Sequence, residues 1–320
     1  MKILHALEEF SESKTPVILA AGCFDGLHIG HTAVIQTAID RARAVGGEAW
    51  VFTFDPHPAK VLSPDHAPPL IYTTDQQSRH MQEMGVDGCI LHPFSVDFMK
   101  QEPIDFFENL CRHIPKLAGI SVGQDWSFGR DRSGNAALLA RLCEERNLFF
   151  SAHPAVCWGD QRVSSTRIRE AIRLGHLAEA SSMLGRPIST IGNVEHGEKI
   201  GRKLGYPTAN LAPANEMLPP RGIYAATLRV GHSLHAAAAY IGHRGTFHEN
   251  EPQVLEVYLL DEKDIDLYGQ HVEVSYIEYI RGDRVFDTAD MLKTQIAVDI
   301  AAIRTILDAR SACSSTPRES

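Results

Sequence analysis

Two histidines three residues apart, His28 and His31, stand in the stretch "AAGCFDGLHIGHTAVIQ" (residues 20–36), framed by Gly22, Gly26 and Gly30. Imidazoles can ligate a metal or donate hydrogen bonds to phosphate oxygens. A zinc site needs a third ligand, and no other histidine recurs nearby at a ligand-like spacing. A phosphate site asks for something else: a strand running into a helix start, whose free backbone N–H groups and partial positive charge receive an anion. An apolar run precedes the pair, a helix-like run follows it, and the glycines let backbone and ligand approach closely. Phosphate is the favoured reading, with a metal site and a purely structural pair as alternatives.

A second stretch, "VSSTRIREAI" (163–172), places Ser164, Ser165 and Thr166 just before a predicted helix, which is N-cap chemistry. Arg167 and Arg169 make a simple cap insufficient, because first turns prefer acidic residues. A helix terminus contributes only about 0.3–1 kcal/mol per exposed charge. Side-chain donors and Mg²⁺ must therefore supply most of what a transferring phosphoryl group needs. His28, His31 and Arg167 are assigned to phosphates.

The third stretch is "GNVEHGEKIGRKLGYPTANL" (192–211). It lacks GxxxxGK[ST] and so is not a Walker A loop. Gly192, Gly197, Gly201 and Gly205 allow a tight loop around phosphates, with Arg202 and the lysines supplying charge. Thr208 and Asn210, two apart, point the same way on an extended strand, and both are hard oxygen donors suited to Mg²⁺. A glycine loop followed by an ordinary turn is the alternative. Glu256, between Leu255 and Val257 in "QVLEVYLLD", is either a solvent-facing residue of a half-buried strand or a positioned base.

These residues need a frame. "TPVILAAG", "EAWVFTF", "GCILHPF", "AGISVG" and "LFFSAHPAV" read as strands. Between them, "HTAVIQTAIDRARAVGG", "PIDFFENLCRHI" and "NAALLARLCEERN" read as helices. In the first helix Val34, Ile35, Ala38, Ile39 and Ala42 share one face. Strand and helix in alternation predict a parallel α/β sheet. A single helix is expected over "STRIREAIRLGHLAEASSML". From about residue 184 the pattern changes to short β runs with glycine turns: "IYAATLRV", "LHAAAAYIG", "VLEVYLLD" and "HVEVSYIEYI". In the last, Val272, Val274 and Tyr276 lie opposite Glu273 and Ser275. A small β-barrel is predicted. A helix follows with Leu292, Ile296, Ile300, Ile303 and Leu307 as its apolar stripe, and the tail 311–320 is expected to be disordered.

The 320 residues suit two domains, placed at 1–183 and 184–310. The net charge of -9 gives no broad basic footprint for nucleic acid. Six cysteines without a CxxC pair suggest reduced thiols in a cytoplasmic protein. The opening "MKILHALEEFSESK" is too acidic and too weakly apolar for a secretory signal, and no membrane-length apolar run occurs.

GxFDGxHxGH resembles the HxGH signature of nucleotidyltransferases with a Rossmann-like sheet, and "VSSTRIREAI" is similar to the (S/T)xxxR-type segment of that superfamily. "TFDPHP" (53–58) and "GQDWSFGRDRSG" (123–134) resemble flavin-linked segments of the bacterial bifunctional riboflavin kinase/FAD synthetase family. The 192–211 stretch is similar to that family's flavokinase motif, and the resemblance extends over about residues 15 to 308.

The resemblance implies an N-terminal Rossmann-like HxGH domain, then a flavokinase barrel with a C-terminal helix. It implies phosphorylation of riboflavin to FMN and adenylylation of FMN to FAD, with ATP and Mg²⁺ in both reactions. By carry-over, Thr208 and Asn210 hold Mg-ATP and Glu256 is the base. Phe24, Asp25, Asp55, His57, Asp125 and Phe128 fall in segments that bind nucleotide or flavin. Partners are small molecules only, with no nucleic acid or membrane, and no oligomeric state is implied.

Three positions depart from the family pattern: Cys23 replaces a frequent Asn, Gly245 a proline, and Trp126 a Phe. Cys23 supports one rival, a riboflavin kinase with an impaired adenylyltransferase domain. A non-catalytic flavin-binding regulator and a nucleotidyltransferase for another substrate are the other two.

Overall fold

The computed structural model describes residues 1–11, 13–196, 201, 204–243, 253–262 and 265–314. By its internal contacts the chain divides into Met1–Ser165 and Thr166–Ser320.

The first unit is built on a six-stranded sheet, all of whose pairs are parallel. Its strands are β1 (Lys2–Leu4), β2 (Val17–Ala21), β3 (Glu48–Phe54), β4 (Gly88–His92), β5 (Leu117–Gly123) and, after a small antiparallel ribbon of β6 (Ser127–Phe128) with β7 (Gly134–Asn135), β8 (Phe149–His153). The spatial order is β1-β4-β3-β2-β5-β8. The hairpin β9 (Cys157–Trp158) with β10 (Gln161–Arg162) follows.

The helices are α1 (Ile29–Ala44), α2 (Pro58–Leu62), α3 (Thr74–Met84), α4 (Val96–Met99), α5 (Pro103–His113) and α6 (Ala136–Glu145). Side chains alternate across β2: Val17, Leu19 and Ala21 enter a core with α5 and α6, while Ile18 and Ala20 enter a second core with α1. A sheet covered on both faces reads as a continuous apolar run, which is why "TPVILAAG" shows no alternation. All five apolar residues expected on α1 are buried. Burying each large aliphatic side chain contributes about 1.5–3 kcal/mol. Because β3 and β5 flank β2, the strand order reverses at the carboxyl end of β2, where open α/β sheets bind ligands.

In place of the single helix expected over 165–184 there are two, α7 (Ser165–Arg173) and α8 (Leu177–Leu184). Gly175, at φ 75, takes the left-handed conformation that ends α7. The helix α8 packs on the strands β11 (Ile188–Glu195) and β16 (His271–Arg281), so it goes with the second unit. "ISTIG" opens β11.

The other strands are β12 (Ala209–Pro213), β13 (Gly222–Val230), β14 (Ser233–His243) and β15 (Gln253–Leu259). They close into a barrel in the order β11-β12-β15-β14-β13-β16. Tyr224, Ala226, Leu228, Val272, Val274 and Tyr276 are buried. On the other side of the barrel wall, Ala225 packs with Ile303 and Leu307 of the final helix (Ala289–Ser314). Ala236 and Ala238 of β14 pack in the same cluster, and their small side chains let strand and helix approach. The final helix passes Arg310 and continues through Ser314, and the rest of the expected tail lies outside the described residues.

Candidate active sites

In the first unit β2 delivers the chain to Gly22, and the turn to α1 carries Phe24, Asp25 and His28. His28 is the N-cap of α1, and its Nδ1 accepts the backbone N–H of His31 at 3.2 Å. A ring that accepts at Nδ1 carries its proton on Nε2, which leaves a donor for an oxyanion. The His28 and His31 rings stack with centroids 3.5 Å apart, and Phe24 meets His31 edge-on at 5.3 Å. Gly30 and Gly22 keep this pile close: a Cβ would come 3.2 Å from the His28 ring at one and 3.1 Å from Phe24 at the other. No acidic residue occupies the first turn of α1, so its positive end is not neutralised from within.

Asp25 has a structural task. It is 3% exposed and accepts from the backbone N–H of Ile71 at 3.0 Å. The backbone carbonyl of Asp25 accepts from Ser165 Oγ at 3.0 Å, so two motifs 140 residues apart meet. Helix α7 begins at Ser165, which puts Ser165 and Thr166 in its first turn and Ser164 before it. Arg167 donates to Glu179 at 2.8 Å within the second unit.

An open cleft has Cys23, Phe24, Asp25, Phe54, Asp55, His57 and Leu70 in its walls, with Thr74 and Gln77 from α3. His57 caps α2, and Asp55 accepts from Thr74 Oγ1 at 3.5 Å. Cys23 is open to solvent yet hemmed in. Its thiol is pushed up to about 11, first by desolvation and then by Asp25, with Arg132 pulling the other way. Asp125 pairs with Arg162 of β10. Phe128 is buried against Phe106 and stacked on Trp126, so it belongs to the core, and Trp126 is the half-buried ring of the pair.

Arg162 and the α3 residues Thr74 and Gln77 lie outside the motifs that the sequence offers. The α3 start was readable, since Thr73 and Gln76 form a capping box of the S/T-x-x-E/Q kind.

In the barrel unit, Glu256 lies mid-strand on β15. Leu255 and Val257 are buried and Glu256 is half-buried, as period two requires. Its register partners are Asn210 on β12 and Tyr240 on β14. Thr208 Oγ1 donates to the Glu256 carboxylate at 3.0 Å. Thr208, Asn210 and Glu256 thus form one oxygen-rich group. Such a set fits Mg²⁺, which takes few protein oxygens and fills its shell with water and phosphate.

Gly201 cannot carry a side chain, because a Cβ would lie 2.3 Å from the Tyr206 carbonyl. Gly205 is at φ 90, consistent with the tight turn expected. Gly192 differs from expectation. It is inside β11 and not in a loop, where a Cβ would strike the Ala212 carbonyl at 2.3 Å. Its absent side chain serves strand packing. Gly197, Arg202 and Gly245 lie outside the described residues.

Residues 10–167 match the family model for FAD synthetase, and residues 184–307 match that for riboflavin kinase. The bifunctional riboflavin kinase/FMN adenylyltransferase of Escherichia coli K12 is 33% identical over 93% of this chain and 96% of its own length. The chain belongs to the bifunctional riboflavin kinase/FMN adenylyltransferase family. The protein of that name from Listeria monocytogenes is 34% identical over 88% of this chain and 90% of its own.

As a member of the riboflavin kinase/FMN adenylyltransferase family, the chain is an ATP-dependent kinase and nucleotidyltransferase with flavin substrates. An impaired adenylyltransferase half and a non-catalytic regulator are not favoured. A solved structure from Streptococcus pneumoniae described as a macrolide-efflux protein shares the fold, with a TM-score of 0.84 at 29% identity over 94% of this chain and 98% of its own. Among the described residues of the present chain, no helix is long and apolar enough to cross a membrane.

Proposed function

We propose that the barrel unit makes FMN on Glu256 and that the HxGH unit converts FMN to FAD on His28 and His31. The observation that carries the kinase assignment is the bond between Thr208 and Glu256, with Asn210 in register beside them. Riboflavin's 5′-hydroxyl is a neutral alcohol and a weak nucleophile at neutral pH. Glu256 takes its proton as the oxygen attacks the γ-phosphorus of ATP, and ADP leaves. Thr208 can give its proton to Glu256 and still offer lone pairs to a cation. Thr208 and Asn210 would hold Mg²⁺, whose chemistry when bound is to neutralise phosphate charge.

The adenylyltransferase site has a different problem. FMN's phosphate is already charged, by about −1.5 to −2 at pH 7. It needs no base; it needs relief from like-charge repulsion against ATP. An FMN phosphate oxygen attacks the α-phosphorus, and pyrophosphate leaves. The Nε2–H of His28, His31 and the start of α1 hold the triphosphate. Ser164 and Ser165 are assigned to the same phosphates. The cleft beside Asp55 and His57 takes the flavin.

The functional halves divide near residue 184, where the riboflavin kinase match begins. A cytoplasmic setting suits six cysteines without CxxC spacing, and the acidic net charge of -9 argues for small-molecule partners over nucleic acid.

The test is a timed product assay with purified protein, riboflavin, ATP and Mg²⁺. FMN is expected first and FAD after it. FMN that accumulates unconverted, even when supplied directly, would leave only the kinase half of the reading.

A further inference from the structure

Glu256 is the middle member of a row that crosses three strands. Asn210 on β12 lies to one side of it and Tyr240 on β14 to the other, each in direct register. Side chains opposite one another on antiparallel strands share a face and sit within contact reach. In a phosphoryl transfer the alcohol oxygen faces the γ-phosphorus in line while its proton lies within reach of the base, so both substrates border the base. With Thr208 and Asn210 on the β12 flank holding the nucleotide, the alcohol and the group attached to it are left the β14 flank.

We infer that Tyr240 is a riboflavin-specificity residue of the kinase site, its ring forming the wall against which the flavin's aromatic system and ribityl chain lie. This rests on the assignment of Glu256 and β12 made above.

The side chain is held for such a task. Its hydroxyl folds back over Gly242, where a Cβ would come within 2.1 Å of the phenol oxygen. Gly242 therefore keeps open the space that the ring occupies. Asp283, beyond the end of β16, lies close enough to the hydroxyl to act on it. Burial, then Asp283 and Glu256, push the phenol up to about 12, with Arg221 opposing, so it stays a donor at working pH. Tyr240 is half-buried, so the ring is not spent in the core. Aromatic faces stack on planar heterocycles without needing hydrogen-bond matching.

The experiment is steady-state kinetics of FMN formation with the full chain, varying riboflavin and ATP separately. Tyr240→Ala is expected to raise the KM for riboflavin about tenfold, equivalent to about 1.4 kcal/mol. The KM for ATP should stay within about twofold, since the lost contact is to one substrate only. Tyr240→Phe, which keeps the ring, should recover most of the riboflavin KM. Gly242→Ala should reproduce the defect with Tyr240 intact, by displacing its ring.

FAD formation from supplied FMN and the melting temperature report whether each variant is folded. A rise in the ATP KM alone would place Tyr240 on the nucleotide flank and overturn the inference. So would a fall in kcat with both KM values unchanged, or no change at all. Glu256→Gln separates the two claims: if its kcat is kept, the base assignment fails, whereas the Tyr240 claim stands or falls on the KM split.

Discussion

Thr208 Oγ1 donates to Glu256 Oε2 at 3.0 Å, across 48 residues of sequence and two neighbouring strands of the barrel. The bond uses one lone pair of one carboxylate oxygen and leaves the others to accept a proton. Glu256→Gln keeps the shape but cannot take a proton. FMN formation is expected to fall by about 10²–10⁴, the usual share of a general base. FAD formation from supplied FMN should continue at its normal rate. Retention of kinase activity in the product assay would remove Glu256 from the chemistry.

The first site is tested most sharply through a glycine. A methyl group at Gly30 would press on the His28 ring from 3.2 Å. Gly30→Ala should therefore unseat the ring from its N-cap bond to His31 and from the stack between them. FAD formation should fall at least about tenfold, in proportion to the loss of a positioned phosphate donor. FMN formation should be unaffected. The helix start itself should weaken by about 0.5–2 kcal/mol, the range for a lost cap. Equal loss of both activities would indicate general unfolding and not a displaced ligand for phosphate.

The sequence made the strand-to-helix turn at His28 legible because apolar runs, glycines and helical period all agree there. It made Glu256 legible as a residue but not its placement. Whether a lone Glu on a period-two strand faces water or a site depends on which strands lie beside it, and neither Asn210 nor Tyr240 is near it in sequence. The helix break at Gly175 was visible as a glycine, but glycine inside an apolar pattern does not say whether it bends or ends a helix. The glycine spacing groups Gly192 with its neighbours as loop. Its role comes from the Ala212 carbonyl of β12, a partner no local pattern reveals. Asp25 sits in a motif of chemical residues, yet its carboxylate is occupied by the backbone of Ile71, 46 residues away.

Asp25 accordingly yields a stability prediction. Asp25→Ala leaves the buried N–H of Ile71 without its acceptor, at a cost of about 1–3 kcal/mol. Asp25→Asn retains an oxygen acceptor and should recover much of that. Urea unfolding is the measurement, with a lowered midpoint and an unchanged slope expected for Asp25→Ala. FAD formation should decline along with stability, because the cleft wall at Leu70 hangs from this contact. An unchanged midpoint with lost FAD formation would instead make Asp25 a direct ligand.

Cys23 gives a pH-dependent handle on the same cleft. Its pKa is raised from 9.0 to about 11, so its thiolate is scarcer at neutral pH than that of an ordinary cysteine. The thiolate is the reacting form, and a two-unit rise thins it about a hundredfold at pH 7. Alkylation of Cys23 by iodoacetamide, followed by peptide mass spectrometry, should be correspondingly slow. Its rate should climb about tenfold per pH unit through pH 10 without levelling, as expected below the pKa. A plateau near pH 9 would show that the walls and Asp25 do not suppress ionisation. Because Cys23 lines the cleft with Asp55 and His57, saturating FMN should slow the reaction further at every pH. If FMN leaves the rate unchanged while FAD is still made, the flavin binds elsewhere and the assignment of this cleft is wrong.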